Sequence, residues 1–255
     1  MVSMDNEMNT HAIDTATGEE AAPEVSAERA KAIFAKIARK YDTFNAFSSL
    51  GIYRSWLKTV VEECQATPET RMLDLAAGTG DVTFAVCKAT PPAAVMSTDF
   101  CAEMLDVAHE RYAAGASCGV PCAFEVVDAQ DIPYDDESFD LVTCAYGIRN
   151  MPERHRALAE AYRVLKPGGR FVILEFSTPP NAVWRKLYSV YLRNVIPAIG
   201  GMLTGDRSGF VYLNDSIRAF PDQETFAASL RDAGFSQVTY RNRSGGIAAV
   251  HTAVK

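Results

Sequence analysis

No stretch of the 255-residue chain approaches the ~20 consecutive apolar residues needed to cross a bilayer. The richest, Val195 to Leu203, is broken by Pro197, Gly200 and Gly201, which argues against a transmembrane protein. Lys and Arg are missing altogether before residue 26, where Asp5, Glu7, Asp14, Glu19, Glu20 and Glu24 accumulate. Without a positive start and an apolar run this leader does not read as a signal peptide, and its polar, Ala/Glu/Thr-rich composition predicts disorder over 1–25. The formal charge of −7 arises from 25 Lys and Arg against 32 Asp and Glu. With the six leader acids set aside the body is nearly neutral and lacks the electrostatic footprint of a nucleic-acid binder. The six cysteines contain no CxxC, and the nearest two, Cys118 and Cys122, have no second pair or nearby histidine to close a tetrahedral site. His11, His109, His155 and His251 are too dispersed for metal ligation. Reduced thiols, no metal and a cytoplasmic location are expected.

What is present, at 48% hydrophobic residues, suffices for one large domain over 26–255. Ile33, Ile37, Tyr41 and Phe44 recur at helical spacing. The period then changes. Arg71 to Ala76 reads as a buried strand, Gly78-Thr-Gly80 as a turn, and Val82 to Lys88 as a helix. A strand over Ala94–Thr98, a helix over Ala102–Tyr112, and strands over Ala123–Val127 and Phe139–Ala145 follow. Next come a helix over Glu153–Leu165, the turn Pro167-Gly168-Gly169, and a strand over Arg170–Phe176. An aromatic helix begins after Asn181, 200–222 reads as irregular, and Gln223–Ala233 as helical. Strands over Phe235–Tyr240 and Ile247–Val254 end the chain as an antiparallel hairpin at the sheet edge. This alternation predicts an α/β fold with a mainly parallel sheet covered by helices on both faces.

In such sheets ligands bind beyond the carboxyl ends of the strands. Gly78 and Gly80 allow close approach to the backbone at a helix start, and Asp99, 21 positions after Gly78, stands where it can accept from ribose hydroxyls. A nicotinamide dinucleotide site uses the same pair, so these residues alone leave two cofactors open. Three features separate them. Asp74 and Asp81 flank the glycines, disfavouring pyrophosphate and suiting a cationic amino-acid ligand. Asp128-Ala129 follows the third strand, where an acid and a backbone N–H can read an adenine edge. The third is the terminal hairpin. Together they resemble the class I S-adenosylmethionine-dependent methyltransferases, whose Rossmann-like seven-stranded sheet ends this way. No Tyr-x-x-x-Lys pair supports hydride chemistry.

A narrower resemblance rests on Lys40-Tyr41-Asp42 with Asn45, Ser49, Gly51, Arg54 and Trp56, on Tyr146-Gly147-Ile148-Arg149-Asn150, and on Tyr162 to Gly169. Leu174-Glu175-Phe176-Ser177, Ser216-Ile217-Arg218 and Pro221-Asp222-Gln223 extend it. From about Ala32 onward the chain resembles the UbiE/MenG family, the C-methyltransferases of ubiquinone and menaquinone biosynthesis. The resemblance implies that Thr79, Asp99, Asp128 and Ala129 contact S-adenosylmethionine, together with the turn of Asp74, Gly78 and Gly80. Ala145 stands where many relatives carry a serine near the cofactor.

It also implies methylation of a ring carbon of a polyprenyl quinol, with demethylmenaquinol the first expectation; another lipid or small-molecule acceptor on the same fold is the alternative. A quinol reacts because loss of a phenolic proton, pKa ~10, pushes electron density onto the ring carbon. Arg149 and Asn150 after the fourth strand, and Tyr41 from the N-terminal helix, are the catalytic candidates, Arg149 by lowering the phenol pKa through its charge. Arg218 and His251 match family positions and are assigned to the substrate pocket, with a structural role at the sheet edge the competing reading of His251. Segments 26–63 and 181–222 are expected to cover the substrate; both are net positive, and Val183, Trp184, Leu187, Tyr188, Tyr191, Leu192, Val195 and Ile196 form an apolar stripe. This predicts transient contact with an anionic membrane surface at the inner face of the cell membrane. A homodimer completes the expected partners.

Overall fold

A computed structural model describes residues 31–33, 35, 38, 52–195 and 208–255, without the side chains of 195 and 208–210. The expected leader at 1–25, Tyr41, most of the N-terminal helical face and Ile196 lie outside the described residues.

Alternating burial builds the sheet. In β1 (Arg71–Leu75), Met72 joins one apolar cluster while Leu73 and Leu75 join the other, so both faces are covered. The same division recurs in β5 (Leu165–Phe176): Val172, Leu174 and Phe176 point one way, Phe171 and Ile173 the other. With β2 (Ala94–Asp99), β3 (Cys122–Val126), β4 (Phe139–Ala145), β6 (Ser236–Arg243) and β7 (Ala248–Val254), the order is β3-β2-β1-β4-β5-β7-β6. β1 to β5 run parallel; β7 lies antiparallel between β5 and β6. Thus β6, not β7, forms the edge, and His251 of β7 is interior, paired in register with Ile173 and Tyr240.

Helices α1 (Tyr53–Cys64) and α2 (Asp81–Ala89) bury Trp56, Val60, Val82 and Val86 in the first cluster. On the second face α4 (Arg154–Val164) supplies Leu158 and Ala161. Helix α3 (Ala102–Ala113) leans on β3 through His109 and Tyr112, whose rings meet Phe124 edge-on.

Two segments differ from the sequence reading. The Pro167-Gly168-Gly169 turn lies inside β5, where Gly168 N donates to Lys255 O and Lys255 N to Gly169 O. Within 200–222, read as irregular, α6 (Ser208–Ala219) forms and buries Tyr212, Leu213, Ser216 and Ile217. The following helix, α7 (Gln223–Asp232), is capped by Asp222, which accepts from Thr225 N. Before them α5 (Ala182–Val190), capped by Asn181, runs into a π turn over Tyr191–Val195. The apolar stripe divides there: Tyr188 and Leu192 are buried, whereas Val183 and Leu187 are 80% and 58% exposed, beside Val190, outside the stripe, at 53%. Among the described residues no helix is long and apolar enough to cross a membrane.

Candidate active site

Two cavities open at the carboxyl ends of β1, β2 and β4, sharing Ala76, Gly78, Ala145 and Tyr146 as a common wall. The larger extends past Asp99, Asp128 and Ala129 to Asn150; the smaller holds Asp74, Thr79 and Asp81 under Tyr53 and Leu57 of α1. The wall between them is conformationally unusual. Ala76 and Tyr146 both have positive φ, 52° and 58°, which costs a non-glycine residue energy and is concentrated at functional sites. Gly147 explains how the two loops approach, because a Cβ there would fall 2.3 Å from the Ala76 Cβ. Gly80, at φ 86°, precedes α2, and a Cβ would meet the Phe84 ring at 2.5 Å.

Asp99 ends β2 and anchors the glycine turn: Gly78 N donates to Oδ2 and Cys101 N to Oδ1, each at 2.8 Å. Burial pushes its carboxyl up, opposed by these N–H donors. Asp74 is fully enclosed. Thr143 Oγ1 donates to Oδ1 at 2.6 Å and Thr83 Oγ1 to Oδ2 at 2.7 Å, tying β1 to β4 and α2. Its carboxyl is pushed up to about 6 by burial. Asp128 is exposed and accepts from Gln130 N at 2.9 Å, while Ala129 is buried beside it. The Thr79 carbonyl accepts from Arg111 Nη1 at 2.8 Å, and the same nitrogen lies 2.9 Å from Asp81 Oδ1. Arg111, absent from the sequence reading, therefore clamps the turn from α3.

The loop after β4 is held by Arg149. Its guanidinium is buried, 4% exposed, and Nη1 meets Glu175 Oε1 at 2.9 Å, with Glu175 only 1% exposed. Nη1 also donates to Tyr146 O, and Phe176 lies beneath the guanidinium at 5.6 Å. A charge held inside by Glu175 supports the loop. Asn150, by contrast, lines the larger cavity; its Nδ2 donates to Tyr146 O at 3.1 Å and its Oδ1 accepts from Tyr212 OH at 3.0 Å. Lys31 also reaches this cavity, 4.8 Å from the Phe100 ring centre.

Arg218 and His251 are not brought to either cavity. Arg218 is exposed near the end of α6. His251 is buried between Phe226 and Tyr240, its Nε2 3.0 Å from Gln223 O, and burial lowers its pKa to about 4. Packing, not substrate, accounts for its surroundings. No cluster of three or more metal-ligating side chains occurs among the described residues.

Residues 23–255 match the profile of the ubiE/COQ5 methyltransferase family. The chain belongs to that family. Its similarity reaches 44% identity over 223 residues with a ubiquinone/menaquinone biosynthesis C-methyltransferase UbiE of Dinoroseobacter shibae, covering 88% of this chain and 89% of the relative. A mitochondrial 2-methoxy-6-polyprenyl-1,4-benzoquinol methylase of Danio rerio is 38% identical over 267 residues, covering 91% and 81%. Among solved structures, a possible histamine N-methyltransferase of Thermotoga maritima superposes with a TM-score of 0.60 at 21% identity, covering 88% of this chain and 99% of that one. A phosphoethanolamine N-methyltransferase of Haemonchus contortus, in complex with S-adenosyl-L-methionine, gives 0.58 at 17%, covering 79% and 52%. Those two likenesses establish the fold. The family membership makes the chain a methyltransferase that uses S-adenosylmethionine, on a Rossmann-like sheet as the strand pattern predicts.

The donor set suits that cofactor. A carboxylate at the end of β2 retains acceptor capacity for a vicinal diol, and the neighbouring cavity is lined by acids, as a cationic amino acid requires.

Proposed function

We propose that this methyltransferase alkylates a ring carbon of a polyprenyl quinol, with demethylmenaquinol as first acceptor. The observation that carries the reading is the quinone-pathway naming of relatives that align over nearly nine-tenths of the chain. The benzoquinol methylase of Danio rerio favours a second acceptor, a methoxylated polyprenyl benzoquinol.

The cofactor supplies a methyl group on a positively charged sulfur, already activated for transfer, so the protein's task is alignment and exclusion of water. Asp99 accepts from the ribose hydroxyls while the Gly78 N–H holds its carboxylate in place. Asp128 and the Ala129 N–H read the adenine edge. Thr79 and Gly80 shape the turn that Arg111 fixes from behind, and Asp74 supplies negative charge beneath the smaller cavity. Ala145 brings a methyl to the shared wall, with no hydroxyl for the cofactor. Asn150 presents its amide to the larger cavity, where it orients the phenolic oxygen of the acceptor. Arg149 positions the Tyr146–Asn150 loop through Glu175 and the Tyr146 carbonyl. Tyr41, from the family's opening motif, stays a catalytic candidate on the resemblance alone.

The acceptor must be reduced. Two carbonyls withdraw electron density from a quinone ring and leave no ionisable phenol to reverse it, whereas the quinol carbon is nucleophilic. Anaerobic assays with labelled S-adenosylmethionine and short-tailed naphthoquinol and benzoquinol test both points. Label is expected in reduced naphthoquinol above benzoquinol and nearly none in either oxidised form. Equal incorporation into oxidised and reduced acceptor overturns the chemistry; preference for benzoquinol overturns the acceptor.

A further inference from the structure

Two side chains of α6 reach the loop that walls the larger cavity. Tyr212 OH donates to Asn150 Oδ1 at 3.0 Å, and Arg149 Nε donates to Ser216 Oγ at 3.4 Å. Tyr212 and Ser216 stand four residues apart, one helical turn on the same face, and they meet two consecutive loop residues. All the contact atoms belong to a buried or partly buried junction: Tyr212 is 6% exposed, Ser216 2% and Arg149 4%. Ser216 is itself set by donation to Leu213 O at 3.0 Å.

The Asn150 amide is the informative group. A carboxamide has two ends of nearly equal shape and opposite hydrogen-bonding sense. Here Nδ2 faces the Tyr146 carbonyl, an obligatory acceptor, while the hydroxyl of Tyr212 donates to Oδ1. The Tyr146 carbonyl, which can only accept, selects the orientation of the amide, and the Tyr212 hydroxyl then ties down its Oδ1 from α6, outside the loop and the cofactor turn.

We infer that Tyr212 is a positioning residue for methyl transfer: its hydroxyl anchors the Asn150 amide at the cavity wall, with Ser216 fastening the same helix to Arg149. The inference deepens the quinol methylation proposed above and rests on it for its turnover readout alone. Because α6 ends the segment 181–222, the latch also links the acceptor-covering part of the chain to the cofactor cavity.

Tyr212→Phe keeps the ring and removes only the hydroxyl. In the full-length protein with S-adenosylmethionine bound, amide exchange over residues 146–151 is expected to rise about tenfold, with kcat for short-tailed quinol falling by a similar factor. Cofactor affinity from calorimetry is expected to stay within about twofold, since the contacts of Asp99 are untouched. Introduced into Asn150→Ala, Tyr212→Phe is expected to lower kcat no further, whereas a general loss of packing would add to it. Val211→Ala, exposed on the same helix, serves as the control and leaves exchange at the wild-type rate. Ser216→Ala provides a second, milder variant if Tyr212→Phe does not fold, and it too is expected to speed loop exchange. Wild-type exchange in the folded variants, or full additivity with Asn150→Ala, overturns the inference. Absence of wild-type turnover with any quinol overturns the acceptor reading instead, and loop exchange then decides for or against Tyr212.

Discussion

Asp99 already accepts two backbone N–H groups and keeps lone pairs for a ligand. Asp99→Ala is expected to weaken S-adenosylmethionine binding by on the order of 2 kcal/mol in calorimetry, in a chain that still folds. Unchanged affinity removes Asp99 from the site. Arg149 makes the opposite kind of prediction. Arg149→Ala strands the buried Glu175 carboxylate, so a loss of about 3–5 kcal/mol in denaturant unfolding is expected, and adding Glu175→Ala should recover part of it. His251 and Asp74 pull stability in opposite directions as pH falls. His251 binds protons more readily unfolded, so its contribution is present above about 6.5 and lost toward about 4. Asp74, pushed up to about 6, binds its proton more readily folded and so relieves the fold on acidification. Urea melts of His251→Gln between pH 7 and 4.5 are expected to lose the acid-destabilising limb and retain the Asp74 limb. Asp99 was legible because strand, turn and acid recur at a spacing the fold dictates. Arg111, Glu175 and Tyr212 were not, because each bonds to a group 30, 26 or 62 residues away whose identity only packing reveals.

Among the elements, β4 was read to the residue and the other core strands within a few positions, since buried parallel strands are short apolar runs between helix-length segments. Helix α6 escaped because Gly200, Gly201, Gly205 and Gly209 crowd its approach and mask the spacing of Tyr212, Leu213, Ser216 and Ile217. Segment Pro167–Gly169 reads as a turn by composition, and it is carried within β5 as an irregularity whose Gly168 and Gly169 bond to Lys255. The face of α5 is the element-scale test of membrane contact. Val183, Leu187 and Val190 are exposed beside exposed Arg185 and Lys186, an arrangement suited to an anionic lipid surface. Leu187→Asp with Val190→Asp is expected to abolish co-sedimentation with phosphatidylglycerol vesicles while leaving the melting temperature within a few degrees. Undiminished vesicle binding by the folded double variant overturns the assignment.

For the molecule as a whole, the sheet order has a consequence for biogenesis. β5 has a strand on each side in the finished fold, but its second neighbour, β7, is made some seventy residues later and must insert between it and β6. While the chain is still on the ribosome, the β5 edge presents unpaired N–H and C=O groups along a strand rich in Phe, Val, Ile and Leu, the kind of template that recruits other chains. Nascent chains arrested before Ala248 are expected to bind holdase chaperones and to aggregate on release, whereas chains arrested with β7 clear of the exit tunnel resist protease over 165–176. Equal protection in the two arrests would show that β5 is sheltered before its partner arrives.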